Sequence, residues 1–253
     1  MMTALVSPSS PTRVIAPITE KSQAPFFCPV CHAEVILKKG KIYVHHFAHV
    51  ADSACDWDGG ESPAHRKCKI EIYDALVKNP RVRNCEMERG LGSVRPDISC
   101  RIDHHPVAIE VQVSTLSLDK ITYRTQEYYK KGIYVLWVSP SDEKNTSHIV
   151  QVSPWRKWLH ALNFGKIFYW QNGLLLDAYH YTPHTTWVEE KEWYVEGGHG
   201  EMESGGGYEK TLRRTKESHL IGTFNLIDDF VPSYHKGWSG KNLFIPPANI
   251  WSL

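Results

Sequence analysis

The stretch Arg95-Pro96-Asp97-Ile98-Ser99-Cys100-Arg101-Ile102-Asp103-His104-His105-Pro106-Val107-Ala108-Ile109-Glu110-Val111-Gln112 decides the fold. Two strand-like runs, 95–102 and 107–113, flank the turn Asp103-His104-His105-Pro106. Asp97 and Glu110 are equidistant from the Asp103–His104 junction, so a symmetric hairpin sets them opposite each other, with Cβ atoms about 4.5–5.5 Å apart. Gln112 joins their face because side chains alternate along a strand. Two carboxylates so placed repel, and the pKa of one rises. A shared Mg²⁺ or Mn²⁺ relieves the repulsion, being a hard ion that takes oxygen ligands. Such an ion also polarises a phosphoryl oxygen, acidifies a bound water and stabilises a leaving alkoxide. An arbitrary Asp and Glu are usually solvated; Glu110, between Ala108-Ile109 and Val111, sits in a strand too apolar for an idle charge.

Upstream, Ser62-Pro63 predicts a helix start, with the hydroxyl as cap and proline in the first turn. The helix runs to about Lys78, where Asn79-Pro80 stops it, and buries Ala64, Cys68, Ile72, Ala75 and Leu76. Glu61, His65 and Lys69 form a separate polar line, four residues apart. Glu61 adds a carboxylate for the metal, while His65 and Lys69 meet phosphate or relay a proton. A strand over 82–88 follows. Downstream, Ser117 caps a helix over 118–131 that ends at Gly132, and 133–138 is a strand apolar on both faces. The order from Ser62 to Val138 is αβββαβ. Lys120 and Arg124 on the second helix are candidate phosphate contacts, although a basic helix face is more often simply solvated.

Residues 1–25, with Pro8, Pro11, Pro17 and Pro25 and no periodicity, read as a flexible tail. Next, 26–58 reads as a small metal module: Cys28-x2-Cys31, a hairpin from 35–37 to 42–44, then His45-His46-Phe47-Ala48-His49. Cys28, Cys31, His46 and His49 make the simplest Zn²⁺ set, with His45 or Cys55 able to replace one member. Buried free thiols beside ordinary histidines are the plainer alternative. Cys68, Cys85 and Cys100 read as core residues.

The core spans 59–140. Beyond it, 150–182 reads as a small subdomain, a helix from Ser153-Pro154 and a hairpin about Gln171-Asn172-Gly173. The remainder, 183–253, is a loop-rich extension; 187–218 is charged and Gly-rich and carries Lys210, Arg213, Arg214 and Lys216.

The 253 residues are 42% hydrophobic and 23% charged, which excludes collagen-like, disordered and small disulfide-rich classes. Lys plus Arg number 29 against 28 Asp plus Glu, so attraction to nucleic acid must be local. No apolar run spans a bilayer and the N-terminus lacks a secretory pattern, so the expected setting is cytoplasmic, with reduced thiols.

Phe26–Cys31 (FFCPVC), His45–His49 (HHFAH), Gly60–Lys69 (GESPAHRKCK), Arg95–Asp97 (RPD) and Ile109–Ser114 (IEVQVS), followed by Arg124, Tyr128 and Trp137, together resemble the CoiA-like competence proteins over residues 26–140. The resemblance implies a restriction-endonuclease-like α/β core of the PD-(D/E)xK type, an N-terminal Cys/His module and a smaller α+β C-terminal extension. It implies Glu61, Asp97, Glu110 and Gln112 as site residues, and DNA, single- or double-stranded, as substrate in competence-type processing. A second copy of the chain, or a recombination or defence protein, is a further expected partner; a membrane is not. Gln112 stands where the general motif has lysine, so charge on the transition state falls to the metal, with Lys69 as helper. A non-catalytic DNA-binding or recombination adaptor is the alternative. A His-metal nuclease using His45-His46 would leave Asp97 and Glu110 without a task, and a protein-interaction module built on the Trp-rich C-terminal part is the third reading.

Overall fold

The computed structural model describes residues 1–42, 44–50, 55, 61–194, 202–241 and 243–253. Tyr43 in the expected hairpin, Gly60 in the motif before the first helix, and Gly197-Gly198 lie outside them.

The first sheet is antiparallel and comprises β1 (Thr3–Leu5), β2 (Arg13–Ile15), β3 (Phe26–Phe27), β4 (Glu34–Lys38) and β5 (His46–His49), in the order β2-β1-β3-β4-β5. Its core gathers Ala4, Ala16, Phe26, Val35, Leu37 and Phe47, with the Phe26 and Phe47 rings edge to face at 5.1 Å. Residues 1–25 are therefore not a tail: they supply two strands, and Met2 and Ala4 are fully buried. The strand partnering β4 is also four residues later than the 42–44 reading, with Val35 opposite His49 and Lys38 opposite His46.

The central layer follows the αβββαβ order: α1 (Pro63–Val77), β6 (Val82–Met87), β7 (Ile98–Ile102), β8 (His105–Val111), α2 (Leu118–Lys130) and β9 (Tyr134–Pro140). The hairpin closes as its symmetry requires, Ile98 opposite Ile109 and Ile102 opposite His105. β9 then adds parallel to β8, as the α2 crossover demands. Alternation sends Val107, Ile109 and Val111 into the core under α1 with Cys68, Ile72 and Leu76, while Ala108 meets Ile121 and Tyr128 of α2. The architecture is α/β, with a helix on each face of the sheet.

The chain continues through α3 (Glu143–Thr146), β10 (Ile149–Gln151), α4 (Pro154–Leu162), β11 (Ile167–Asn172), β12 (Leu175–Val188), β13 (Lys191–Tyr194), β14 (Met202–Gly205), β15 (Tyr208–Asn225), β16 (Val231–His235), β17 (Trp238–Ser239), β18 (Phe244–Ile245) and β19 (Ala248–Ser252). β10, β15, β12 and β11 extend the central sheet beyond β9, so this part is no separate subdomain. The described residues of the 187–218 stretch, expected as a loop, form strands for the most part: β12 and β15 pair from Leu175–Asn225 out to Val188–Tyr208. Tryptophans of α4 close the second core, Trp155 and Trp158 packing with Trp137 and Ile250.

Ile72 is fully buried and Leu220 is 55% exposed. Ile72→Ala is expected to lower the unfolding free energy by about 2–5 kcal/mol in urea, and Leu220→Ala to stay within about 0.5 kcal/mol. Equal shifts in the two variants would contradict this placement of the core.

Candidate functional site

The Ser62 hydroxyl accepts from the His65 N–H at 3.2 Å, which fixes the first turn of α1 and sets Glu61 at its mouth. His65 and Lys69 then project, one turn apart, toward the start of β7. The His65 Nε2 lies 3.1 Å from Asp97 Oδ2 and its Nδ1 3.5 Å from Glu61 Oε1. The Val111 N–H donates to Asp97 Oδ2 at 2.9 Å, so β8 orients this carboxylate.

Lys69 is fully buried and its ammonium binds three carboxylates: Glu61, Glu88 at 2.6 Å and Asp97 at 3.4 Å. Burial alone would depress the Lys69 pKa, but Glu88, Asp97 and Glu61 raise it above the usual lysine range. Burial likewise works against the Asp97 carboxylate, and His65 and Lys69 hold it well below the ordinary carboxyl range. Burial opposes His65 protonation, yet Asp97 leaves its pKa raised. Lys69 therefore has no exposed surface with which to meet phosphate, contrary to the role the sequence suggested for it.

Glu88 carries no local sequence signal. Its backbone takes a left-handed turn, φ 53°, between β6 and β7, and its buried carboxylate accepts from the Met2 N–H (2.8 Å), the Thr3 N–H (3.0 Å) and the Thr3 hydroxyl (2.9 Å) as well as from Lys69.

Glu110 goes elsewhere. Its carboxylate is buried against Arg124 and Tyr128 of α2. Burial, only partly offset by Arg124, pushes it up to about 7, and the Asp97 charge adds to the rise. The expected set of Asp97, Glu110 and Glu61 is thus not the group that converges most tightly: ligand atoms of Glu61, His65 and Asp97 lie within 4.8 Å of one another. Asp97 sits just before β7 and reaches round to α1, whereas Glu110 lies within β8 and faces α2. A cleft of about 350 Å³ is lined by Glu61, His65, Arg95, Asp97, Gln112 and Arg124. Gln112 donates to the Ser114 carbonyl at 2.6 Å, and Arg124, stacked 5.6 Å over Trp137, donates to the Arg95 carbonyl at 2.7 Å. Lys120 is exposed on α2 and does not line this cleft.

Three carboxylates, Glu61, Glu88 and Asp97, face two cations, the Lys69 ammonium and the Met1 amino group, which leaves one negative charge in excess at the cleft's inner wall while His65 is neutral. The second Glu61 oxygen is buried without a hydrogen bond, 3.6 Å from the Met1 amino group. Two carboxylates, an imidazole and surplus charge are a donor set suited to a divalent cation.

A second cluster lies in the N-terminal sheet: Cys28, Cys31, His49 and Cys55 also bring ligand atoms within 4.8 Å of one another. Cys28 and Cys55 sulfurs are 3.9 Å apart, close to the roughly 3.8 Å between two thiolates bound at about 2.3 Å in a tetrahedron. Cys31 Sγ lies 3.3 Å from His49 Nε2. The cluster could hold a metal ion such as zinc. It corrects the expected set, because Cys55 takes the place of His46. Three residues apart on β5, His46 and His49 point to opposite faces, and the His46 Nδ1 instead donates to the Val44 carbonyl at 3.0 Å. Burial works against the Cys31 thiolate, but the Ala33 N–H, His49 and the other two cysteines bring it to about 7.

Two measurements check these assignments. Cys55→Ala is expected to abolish metal content by elemental analysis while His46→Ala retains it; the reverse pattern would restore the histidine ligand. Glu88, held below its ordinary 4.5 by Lys69 against its burial, contributes stability that is complete above that value and lost as pH falls through its depressed folded value. Glu88→Gln should therefore lose about 3–5 kcal/mol near neutrality and show a shallower acid decline than the parent chain. Parallel acid limbs would count against the buried pair.

The family described as "Competence protein CoiA, N-terminal domain" matches residues 15–58, and "Competence protein CoiA, nuclease-like domain" matches residues 61–172. The "Competence protein CoiA" of Bacillus subtilis (strain 168) is 32% identical over 121 residues, which is 45% of this chain and 31% of that protein. The chain thus spans about a third of the length of this curated relative. No solved structure matches significantly. Both domains of one family occur here in order and cover more than half of the chain, which belongs to the CoiA-like competence proteins.

Proposed function

We propose that the chain is a divalent-metal-dependent nuclease that hydrolyses DNA phosphodiester bonds in competence-type DNA processing, on a restriction-endonuclease-like core. The observation that carries this reading is the convergence of Glu61, His65 and Asp97 at the wall of an open cleft, with net negative charge behind them. A cation held by these three would polarise a phosphoryl oxygen and acidify a bound water. The imidazole nitrogen favours Mn²⁺ over Mg²⁺ as the better-suited ion. Lys69 and Glu88 act from behind, fixing the carboxylates. Arg124, 30% exposed at its side chain and lining the cleft, offers phosphate the positive charge that Gln112 lacks, and Glu110 with Tyr128 holds the guanidinium in place. The Gln112 amide, beside it, orients an attacking water or a phosphate oxygen. Zn²⁺ at the Cys28, Cys31, His49 and Cys55 cluster is structural, because four protein ligands leave no open position. A cytoplasmic setting accords with thiolates that must stay reduced.

The test is cleavage of single- and double-stranded DNA with Mg²⁺ or Mn²⁺. Loss of an outer-shell partner lowers activity about 10–100-fold, so Asp97→Asn should lower it by at least that much. Arg124→Gln should lower it about 10²–10³-fold. Undiminished cleavage by folded Asp97→Asn protein overturns the assignment. DNA binding without cleavage under any divalent ion would instead establish the adaptor reading.

A further inference from the structure

The basic residues near the chain's C-terminal part acquire a definite setting in the fold. Between the pairs Pro183–Lys216 and His184–Leu212, the β12–β15 ribbon is irregular, and Arg213, Arg214 and Thr215 bulge from β15. β10 takes up the freed edge, with Val150 opposite Lys216 and the Val152 N–H donating to the Arg214 carbonyl at 2.9 Å. From α4, the Lys157 ammonium donates to the Arg213 carbonyl at 2.8 Å. Three elements thus bring Lys157, Arg214 and Lys216 together, and among the described residues none of these three pairs with a carboxylate. Glu217, the nearest acid in sequence, points to the other face and is held by His184 at 3.1 Å. Burial, then the Lys216 and Arg214 charges, pushes the Lys157 pKa below its ordinary range. Like charges fixed side by side without a counter-charge make a site for a multivalent anion.

The patch is well separated from the cleft. The cleft opens where β8 ends, and Trp170 of β11 is level with Pro140 at the corresponding end of β9. β12 runs back from there: Leu176 faces Trp170, and Pro183, opposite Lys216, lies seven residues further on, about 23 Å at strand rise. That span matches about seven phosphates along one DNA strand. Arg214 and Lys216 also lie beyond residue 172, where the family match ends, whereas Lys157 lies within it.

We propose that Lys157, Arg214 and Lys216 form a second, sequence-independent contact for the DNA phosphate backbone, which grips the substrate away from the cleft. The identity of the polyanion rests on the hydrolytic reading of the cleft; the existence of the anion site does not.

The test is binding of a labelled duplex of about 24 base pairs, followed by fluorescence anisotropy between about 50 and 200 mM salt. Each phosphate contact contributes about 0.9 to the slope of log K against log salt. The combined Lys157→Ser, Arg214→Ser, Lys216→Ser variant is expected to lose about 2–3 from that slope, while the charge-keeping variant Lys157→Arg, Arg214→Lys, Lys216→Arg keeps it. An unchanged slope in folded serine variant, or no binding by the parent chain at low salt, overturns the inference. So does polyglutamate that displaces the duplex as well as unlabelled duplex does. Cleavage separates the two readings: Asp97→Asn should keep the full salt slope without cutting, and the serine variant should cut at saturating DNA. A parent chain that never cuts yet shows the slope difference removes the hydrolytic reading and leaves this contact standing.

Discussion

A single buried ammonium organises the molecule. Lys69 has no contact with solvent, and an isolated charge there would be untenable; it persists because Glu61, Glu88 and Asp97 surround it. Those three carboxylates come from the residue before α1, the turn after β6 and the entry to β7. Meeting one cation fixes all three segments relative to α1. Glu88 carries the constraint further, because its oxygens also bind the backbone of β1 and so join the N-terminal sheet to the central one. Buried ion pairs are weak sources of net stability, but they penalise any arrangement that leaves one member unpaired. Here that penalty selects one geometry for the inner wall of the cleft.

The pairing of Glu110 with Arg124 is a second charge system on the opposite face of the sheet. It neutralises itself, which leaves the Lys69 cluster as the place with charge to spare. The two systems meet at the cleft, where Asp97 raises the Glu110 pKa and Arg124 reaches the rim. The two charge systems are thereby held by different helices, and the sheet end between them is their common floor.

Local rules carried much of this far. Ser62-Pro63 starts α1 where capping chemistry requires, and the spacing about Asp103-His104 sets the register of the β7–β8 hairpin. The α/β order followed from the same signals. What escaped was set by partners distant in sequence. Residues 3–5 and 13–15 are too short to show a period, and they become strands only because Glu88 and a neighbouring sheet receive them. The β7–β8 ladder closes next to Asp97 and Glu110, with Ile98 opposite Ile109, but a register cannot say that the first side chain turns toward α1 while the second is captured by α2. The His-x2-His spacing suggested two ligands on one ion; on a strand, three is an odd step, and Cys55 fills the vacant corner. The Gly-rich stretch looked like a loop because β14, β15 and the far end of β12 bury few side chains, so little apolar alternation marks them.

The bond between β1 and Glu88 also has a temporal side. Thr3 and Glu88 are separated by 85 positions along the chain, so this contact closes a long loop and is disfavoured early in folding. During synthesis the first strand leaves the ribosome well before the acid that receives it, and its amides meanwhile remain open to water or to another strand. A strand made well before its partner is thus among the last segments to be locked.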